Sequence, residues 1–180
     1  MTDAALQHET AERVAPVVRL ATVDDLEALM GMAREFHFSM GLKRIVRFEA
    51  CLGIDGWLGW FARAITADGS VGDQTCVVAE ADSGVAGFLL CGQAPVPYCL
   101  RLTSVYELVV WSSPRFRRRG VASSLLDWME RWGREIGACQ AVAGVGREMP
   151  GHGDMTPRAM TSLLVGRGYR PHEGSFMKVL

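Results

Sequence analysis

The chain has 180 residues, of which 49% are hydrophobic, and its formal net charge is -1 at pH 7. This length suits one domain with a well-filled core, and the balanced charge gives no global attraction for nucleic acid or for an acidic membrane surface. Five scattered cysteines (Cys51, Cys76, Cys91, Cys99 and Cys139) form no C-x-x-C pair, which argues against a disulfide framework or zinc site and for a reducing compartment.

Residues 1–16 are polar and acidic, which predicts a flexible tail rather than a secretory signal, with residues 17–180 as a single domain. No apolar run reaches the length of a membrane span, so a soluble cytoplasmic protein is expected. The β-branched run Val17-Val18-Arg19-Leu20 predicts a first strand. Thr22 with Asp25 three residues on reads as a capping box, and Leu26, Leu29, Met30 and Ala33 at helical spacing predict a helix from about Val23 to Glu35. Phe36 to Arg47 shows no period and is expected to be a loop. A second helix is expected over Asp55 to Ile65, with Trp57, Leu58, Phe61 and Ile65 on one face.

Cys76 to Glu80 and Val85 to Cys91 are strand-like runs joined by Ala81-Asp82-Ser83-Gly84, a hairpin turn. Pro95 and Pro97 are expected to interrupt regular structure before a third strong strand, Ser104 to Ser112. Gly120 to Ile136 carries Val121, Leu125, Trp128, Met129, Trp132 and Ile136 on one stripe of an amphipathic helix. A strand over Cys139 to Val145, a helix opened by Thr156-Pro157 and ended by Gly166 and Gly168, and a hairpin from Tyr169 to Leu180 complete an α/β domain.

The informative stretch is Glu107-Leu-Val-Val-Trp-Ser-Ser-Pro-Arg-Phe-Arg-Arg-Arg-Gly-Val-Ala-Ser-Ser-Leu-Leu126. It reads as a strand, a basic turn and a helix start. The first amides of a helix lack intrahelical partners and, with the macrodipole, favour an anion. Gly120 has no Cβ and Ala122 a small side chain, so a phosphate can come close to the backbone. Arg115, Arg117, Arg118 and Arg119 add guanidinium forks suited to phosphate oxygens. A pyrophosphate is therefore the natural ligand of Arg117, Arg118, Arg119, Gly120, Val121, Ala122 and Ser123. A Walker A loop and a dinucleotide fingerprint are both absent. An arginine cluster also suits nucleic acid, but aromatic interleaving and a basic chain are missing.

With Arg117, Gly120 and Ala122 in the pattern Arg/Gln-x-x-Gly-x-Gly/Ala, the chain resembles the GNAT superfamily of N-acetyltransferases. Val18-Arg19-Leu20-Ala21-Thr22 with Asp24 and Asp25 is similar to that family's opening, Gly84-Val85-Ala86-Gly87-Phe88 to its hairpin, and Gly168-Tyr169 to its late strand entry. The resemblance spans roughly Val17 to Leu180. It implies an α/β fold of the α+β type with a mixed, mostly antiparallel central sheet flanked by helices, acetyl-CoA as cosubstrate and an amine as acceptor. It also implies pantetheine lying along the strand before the turn, the Val110 amide on the acetyl oxygen, and Ser112 beside the pantetheine. The family's amine attacks directly, without an acyl-enzyme, so no cysteine is needed as nucleophile. Dimers are common among such proteins, so a homodimer is one assembly the resemblance allows, while the sequence itself does not fix the oligomeric state.

An amine near pKa 10.4 is almost wholly protonated at pH 7, so a proton acceptor is required. Glu107 lies on the right strand. Its direction depends on whether a bulge breaks the alternation of faces, and the alternative is an exposed or ion-paired glutamate. The chain departs from the family in its last helix: the tyrosine that protonates the departing thiolate falls at Leu164, and the frequent asparagine at that helix start is Pro157. No general acid is assigned. Two other readings keep some of these features: an idle acyl-CoA-binding regulatory module, and an interaction domain that binds no CoA. His152 and Asp154 lack the further ligands of a zinc site, and His37 reads as a packing residue beside an acceptor pocket.

Overall fold

The computed structural model describes residues 15–44, 46–67, 74–81, 84–96, 99–144, 157–172 and 175–180. Seven strands, β1 (Val17–Leu20), β2 (Gln74–Ala81), β3 (Gly84–Val96), β4 (Cys99–Ser112), β5 (Gln140–Ala143), β6 (Arg170–His172) and β7 (Ser175–Val179), form one sheet. Their spatial order is β1-β2-β3-β4-β5-β7-β6, and only the β4–β5 pair is parallel. Four helices, α1 (Leu26–Ser39), α2 (Trp57–Thr66), α3 (Val121–Glu135) and α4 (Pro157–Gly166), flank it.

Each face of the sheet supports its own core. On one side Leu29, Met32 and Ala33 of α1 and Trp57, Phe61 and Ala64 of α2 pack on Cys76, Val78, Phe88, Leu90, Val109 and Trp111. On the other, Val121, Leu125, Leu126 and Met129 of α3 meet Val77, Ala79, Leu89, Cys91, Val105 and Ala141, together with Leu164 and Tyr169. The alternation of Cys76 and Val78 with Val77 and Ala79 explains why β2 is apolar from Cys76 to Ala79: a strand covered on both faces has no polar side there.

The expected capping box is present. The Asp25 carboxylate accepts from the Thr22 N–H at 2.7 Å and from its hydroxyl at 3.2 Å, opening a 3-10 turn, Val23–Asp25, that runs into α1. Arg19 of β1 donates to both Asp25 oxygens, at 2.7 and 2.8 Å, and so fixes the strand to the helix start.

Several sequence expectations are corrected. Strand β4 begins at Cys99, ahead of the expected Ser104, and Leu58 of α2 is exposed while Trp57 and Phe61 are buried. Helix α1 continues through Phe36–Ser39, where a loop was expected, because tertiary contacts fix residues without a clean period. The Phe36 ring lies edge-on to Trp57 and to Trp111, at 5.6 Å each, and His37 is buried with Nε2 3.0 Å from the Val46 carbonyl. Strand β3 passes through Pro95 instead of ending there. A register irregularity at Pro95/Val96 accommodates the proline, as edges and bulges do. The stretches containing His152, Asp154 and Pro97 lie outside the described residues.

Candidate active site

Strand β4 pairs with β5 only over Ser104–Tyr106 against Gln140–Val142. Beyond that point β4 runs on to Ser112, held by β3 alone among the described residues, while β5 ends at Ala143. Two parallel strands that pair and then part leave an open edge of backbone on the longer one. Glu107, Val110 and Ser112 all lie on this open stretch.

The direction of Glu107 is set by a β-bulge. Leu90 pairs with Val109 and the next residue, Cys91, with Glu107, so Leu108 is the extra residue and the alternation of faces shifts there. Cys91 belongs to the α3 side of the sheet, and Glu107, its partner, shares that side. Its carboxyl lies at the point where the strands separate and accepts from the Gly144 N–H at 2.9 Å. Burial raises the Glu107 carboxyl from an ordinary 4.5 to about 7, and the N–H groups of Gly144 and Val110 restrain the rise. The Val110 N–H is therefore turned toward the Glu107 carboxyl.

The turn after β4 has an unusual backbone. A 3-10 turn, Pro114–Phe116, leads into Arg118 at φ 65° and Gly120 at φ 84°. Glycine adopts this left-handed conformation freely, whereas for arginine it is strained. The strain at Arg118 was not legible in the sequence, which points only to Gly120. Gly120 caps α3, and the Ser124 N–H donates to its carbonyl at 2.9 Å as the first bond of the helical ladder. Among the described residues, no backbone carbonyl accepts from the amides of Gly120, Val121, Ala122 or Ser123. A Cβ at Gly120 would meet nothing within 4 Å, so the approach to these amides is open. This arrangement fits a diphosphate: unpaired donors, a positive helix end and space.

The guanidinium of Arg117 lies over the Trp111 ring and that of Arg119 over Phe116, each 5.5 Å from the centroid. Val121 turns its side chain into the core, so its amide is what it can offer a ligand. The turn is drawn against β3 by Gly87, where a Cβ would come within 2.5 Å of both the Trp111 carbonyl oxygen and Val121 Cγ1. Ser112 Oγ is buried and lacks a partner among the described residues.

The fold and this site coincide with a shared sequence pattern: residues 42–150 match the model of the acetyltransferase (GNAT) family, well over half of the chain. The chain belongs to the GNAT family. Its structure is similar to a PaiA N-acetyltransferase from Thermoplasma acidophilum in complex with coenzyme A, at 16% identity and a TM-score of 0.66, over 93% of this chain and 100% of that one. A transcriptional regulator from Bacillus halodurans C-125 gives 19% identity and a TM-score of 0.66, over 88% and 96% of the two chains. A ribosomal-protein-alanine N-acetyltransferase from Brucella melitensis gives 16% and 0.58, over 81% and 87%. No curated protein matches the chain. Acetyl-CoA as cosubstrate fits the GNAT assignment, and no helix among the described residues is long and apolar enough to cross a membrane.

In this GNAT chain the position of the missing tyrosine has become core. Helix α4 ends in a Schellman motif: the Tyr169 N–H donates to the Leu164 carbonyl at 3.0 Å, the Gly168 N–H to Val165 at 3.0 Å, and Gly168 has φ 86°. The hydrophobic contact such motifs carry joins Tyr169 to Leu164, both buried in the α3-side cluster. Leu164 thus packs rather than reacts. Cys76 and Cys91 are also buried, and burial raises the Cys76 thiol to about 12, which leaves no thiolate near neutral pH.

Proposed function

We propose that this GNAT-family chain transfers an acetyl group from acetyl-CoA to an amine by direct attack within a ternary complex. The observation that carries the reading is the set of amides from Gly120 to Ser123, which have no backbone carbonyl partner among the described residues, with open space at Gly120 and a position directly after an open strand edge. In this reading Arg117, Arg118 and Arg119 surround the diphosphate, the amides of Gly120 to Ser123 and the Ser123 hydroxyl bind it, and Ser112 contacts the pantetheine.

The chemistry then follows from the open edge of β4. The Val110 N–H, which restrains the Glu107 carboxyl in the structure, is given over to the acetyl oxygen as negative charge develops there. The amine nitrogen forms its bond to the carbonyl carbon, the carbon–sulfur bond breaks, and the electron pair leaves with the CoA thiolate. Glu107 takes the amine proton, directly or through one water. A carboxyl raised to about 7 is matched to that task near neutral pH, where it is both ionised and basic enough to hold a proton. Burial of Leu164 supports a thiolate that is protonated from solvent.

Thermal unfolding with and without acetyl-CoA tests the binding half, since ligand at 100 times its Kd adds about 2.7 kcal/mol. Release of free thiol against a panel of amines tests the transfer. Binding without thiol release across small amines and peptide N-termini would favour an idle acyl-CoA-binding module; absence of binding would overturn both.

A further inference from the structure

The sequence gives no prominence to Arg167, which lies between the glycines that close α4. It is the last residue before the left-handed Gly168, so the Schellman motif fixes its backbone. From there its side chain reaches the flank of α3. Nη1 donates to Ser123 Oγ at 2.9 Å, Nε and Nη2 donate to Glu130 Oε1 at 3.1 and 2.8 Å, and Nη2 also bonds Asp127. Ser123, Asp127 and Glu130 follow one another at the i, i+4, i+7 spacing of one helix stripe.

Arg167 differs in kind from the arginines of the turn. Its charge is matched by Asp127 and by Glu130, which is buried at 4% exposure and also accepts from Lys178 at 2.6 Å. A guanidinium committed to two carboxylates has little charge left for a phosphate. One of its two Nη1 hydrogens goes to Ser123, in the first turn of α3. By accepting from Arg167, Ser123 Oγ has one lone pair occupied, and its own hydrogen is free to be donated. Among the described residues that hydroxyl makes no other hydrogen bond.

We propose that Arg167 is a positioning residue for the diphosphate site: it holds the first turn of α3 and orients the Ser123 hydroxyl as a donor to the phosphate. The inference rests on the acetyl-CoA reading above. Arginine suits this place because one planar fork serves Ser123, Asp127 and Glu130 from three separate nitrogens, a geometry that a single ammonium nitrogen does not reproduce.

The test is a double-mutant cycle on the full chain, with the Kd of coenzyme A measured by calorimetry for wild type, Arg167→Lys, Ser123→Ala and the double variant. Lysine keeps a cation for Glu130 and so preserves the fold; Arg167→Gln, which leaves Glu130 paired with Lys178, serves if lysine still reaches Ser123. Each single variant is expected to weaken coenzyme A about tenfold, the scale of one hydrogen bond to a charged group, and the double variant no more than either. KM for acetyl-CoA rises while kcat at saturation holds, which a general loss of folded protein would not produce. Additive losses, or unchanged affinity in both Arg167 variants, would overturn the inference while leaving the transferase reading intact. A wild-type chain that fails to bind coenzyme A overturns both.

Discussion

Replacing Glu107 with glutamine separates the burial of this carboxyl from its chemistry. Its value in the folded chain, about 7, lies above its ordinary 4.5, because burial penalises the ionised form. Below pH 4.5 the group is protonated in both folded and unfolded states, and the fold bears no penalty. Above pH 7 it is ionised in both, and the penalty is complete. A displacement of this size corresponds to about 3 kcal/mol at about 1.4 kcal/mol per tenfold. Linkage gives a cost of about 1 kcal/mol at pH 5 and about 3 kcal/mol at pH 8.5. Glu107→Gln retains an oxygen to accept from the Gly144 N–H and never ionises. Urea unfolding should therefore find the variant more stable than wild type at pH 8.5, with the gap shrinking by about 2 kcal/mol at pH 5. In parallel, kcat/KM of the wild type should rise with pH through an apparent pKa near 7, and the variant should lose both the rate and the inflection. A stability gap equal at the two pH values would refute the buried-carboxyl argument, and wild-type turnover in the variant would remove Glu107 from the mechanism.

Gly120→Glu places a carboxylate at the open approach to the α3 amides and should abolish coenzyme A binding in calorimetry; an unchanged Kd would mean the diphosphate lies elsewhere. Arg118→Gly relieves a left-handed arginine and should stabilise the fold by about 1 kcal/mol in urea, while weakening coenzyme A through the lost charge. Gly87→Ala drives a Cβ into the Trp111 carbonyl and Val121 Cγ1, contacts that cannot yield cheaply, so urea unfolding should show a loss of about 1–3 kcal/mol with weaker cofactor binding. Asp25, which the Arg19 guanidinium holds down to about 2 from an ordinary 3.8, contributes stability above pH 3.8 that is lost as pH falls through 2. Asp25→Asn should cost about 1–2 kcal/mol at pH 7, a figure reduced because Arg19 is about a third exposed, and only a small fraction of that near pH 2.

Much of this molecule is written in local pattern. The capping box at Thr22 and Asp25, the apolar stripe of α3, the Gly84 hairpin and the basic turn from Arg117 to Ser123 each depend on residues within one or two turns of chain, so spacing and residue type suffice. The resemblance to the GNAT family rests on that same turn. What spacing could not decide is whatever required a partner distant in sequence. The end of α1 at Ser39 depends on Phe36 meeting Trp57 and Trp111. The facing of Glu107 depends on a bulge defined by β3, and its raised carboxyl on burial at the parting of β4 and β5. Arg167 could have been suspected from the stripe Ser123, Asp127 and Glu130 on the amphipathic α3, whose two carboxylates call for a cation opposite them. Only the packing of α4 on α3 names the residue that supplies one, because a charge pairs with whatever the tertiary fold brings within reach.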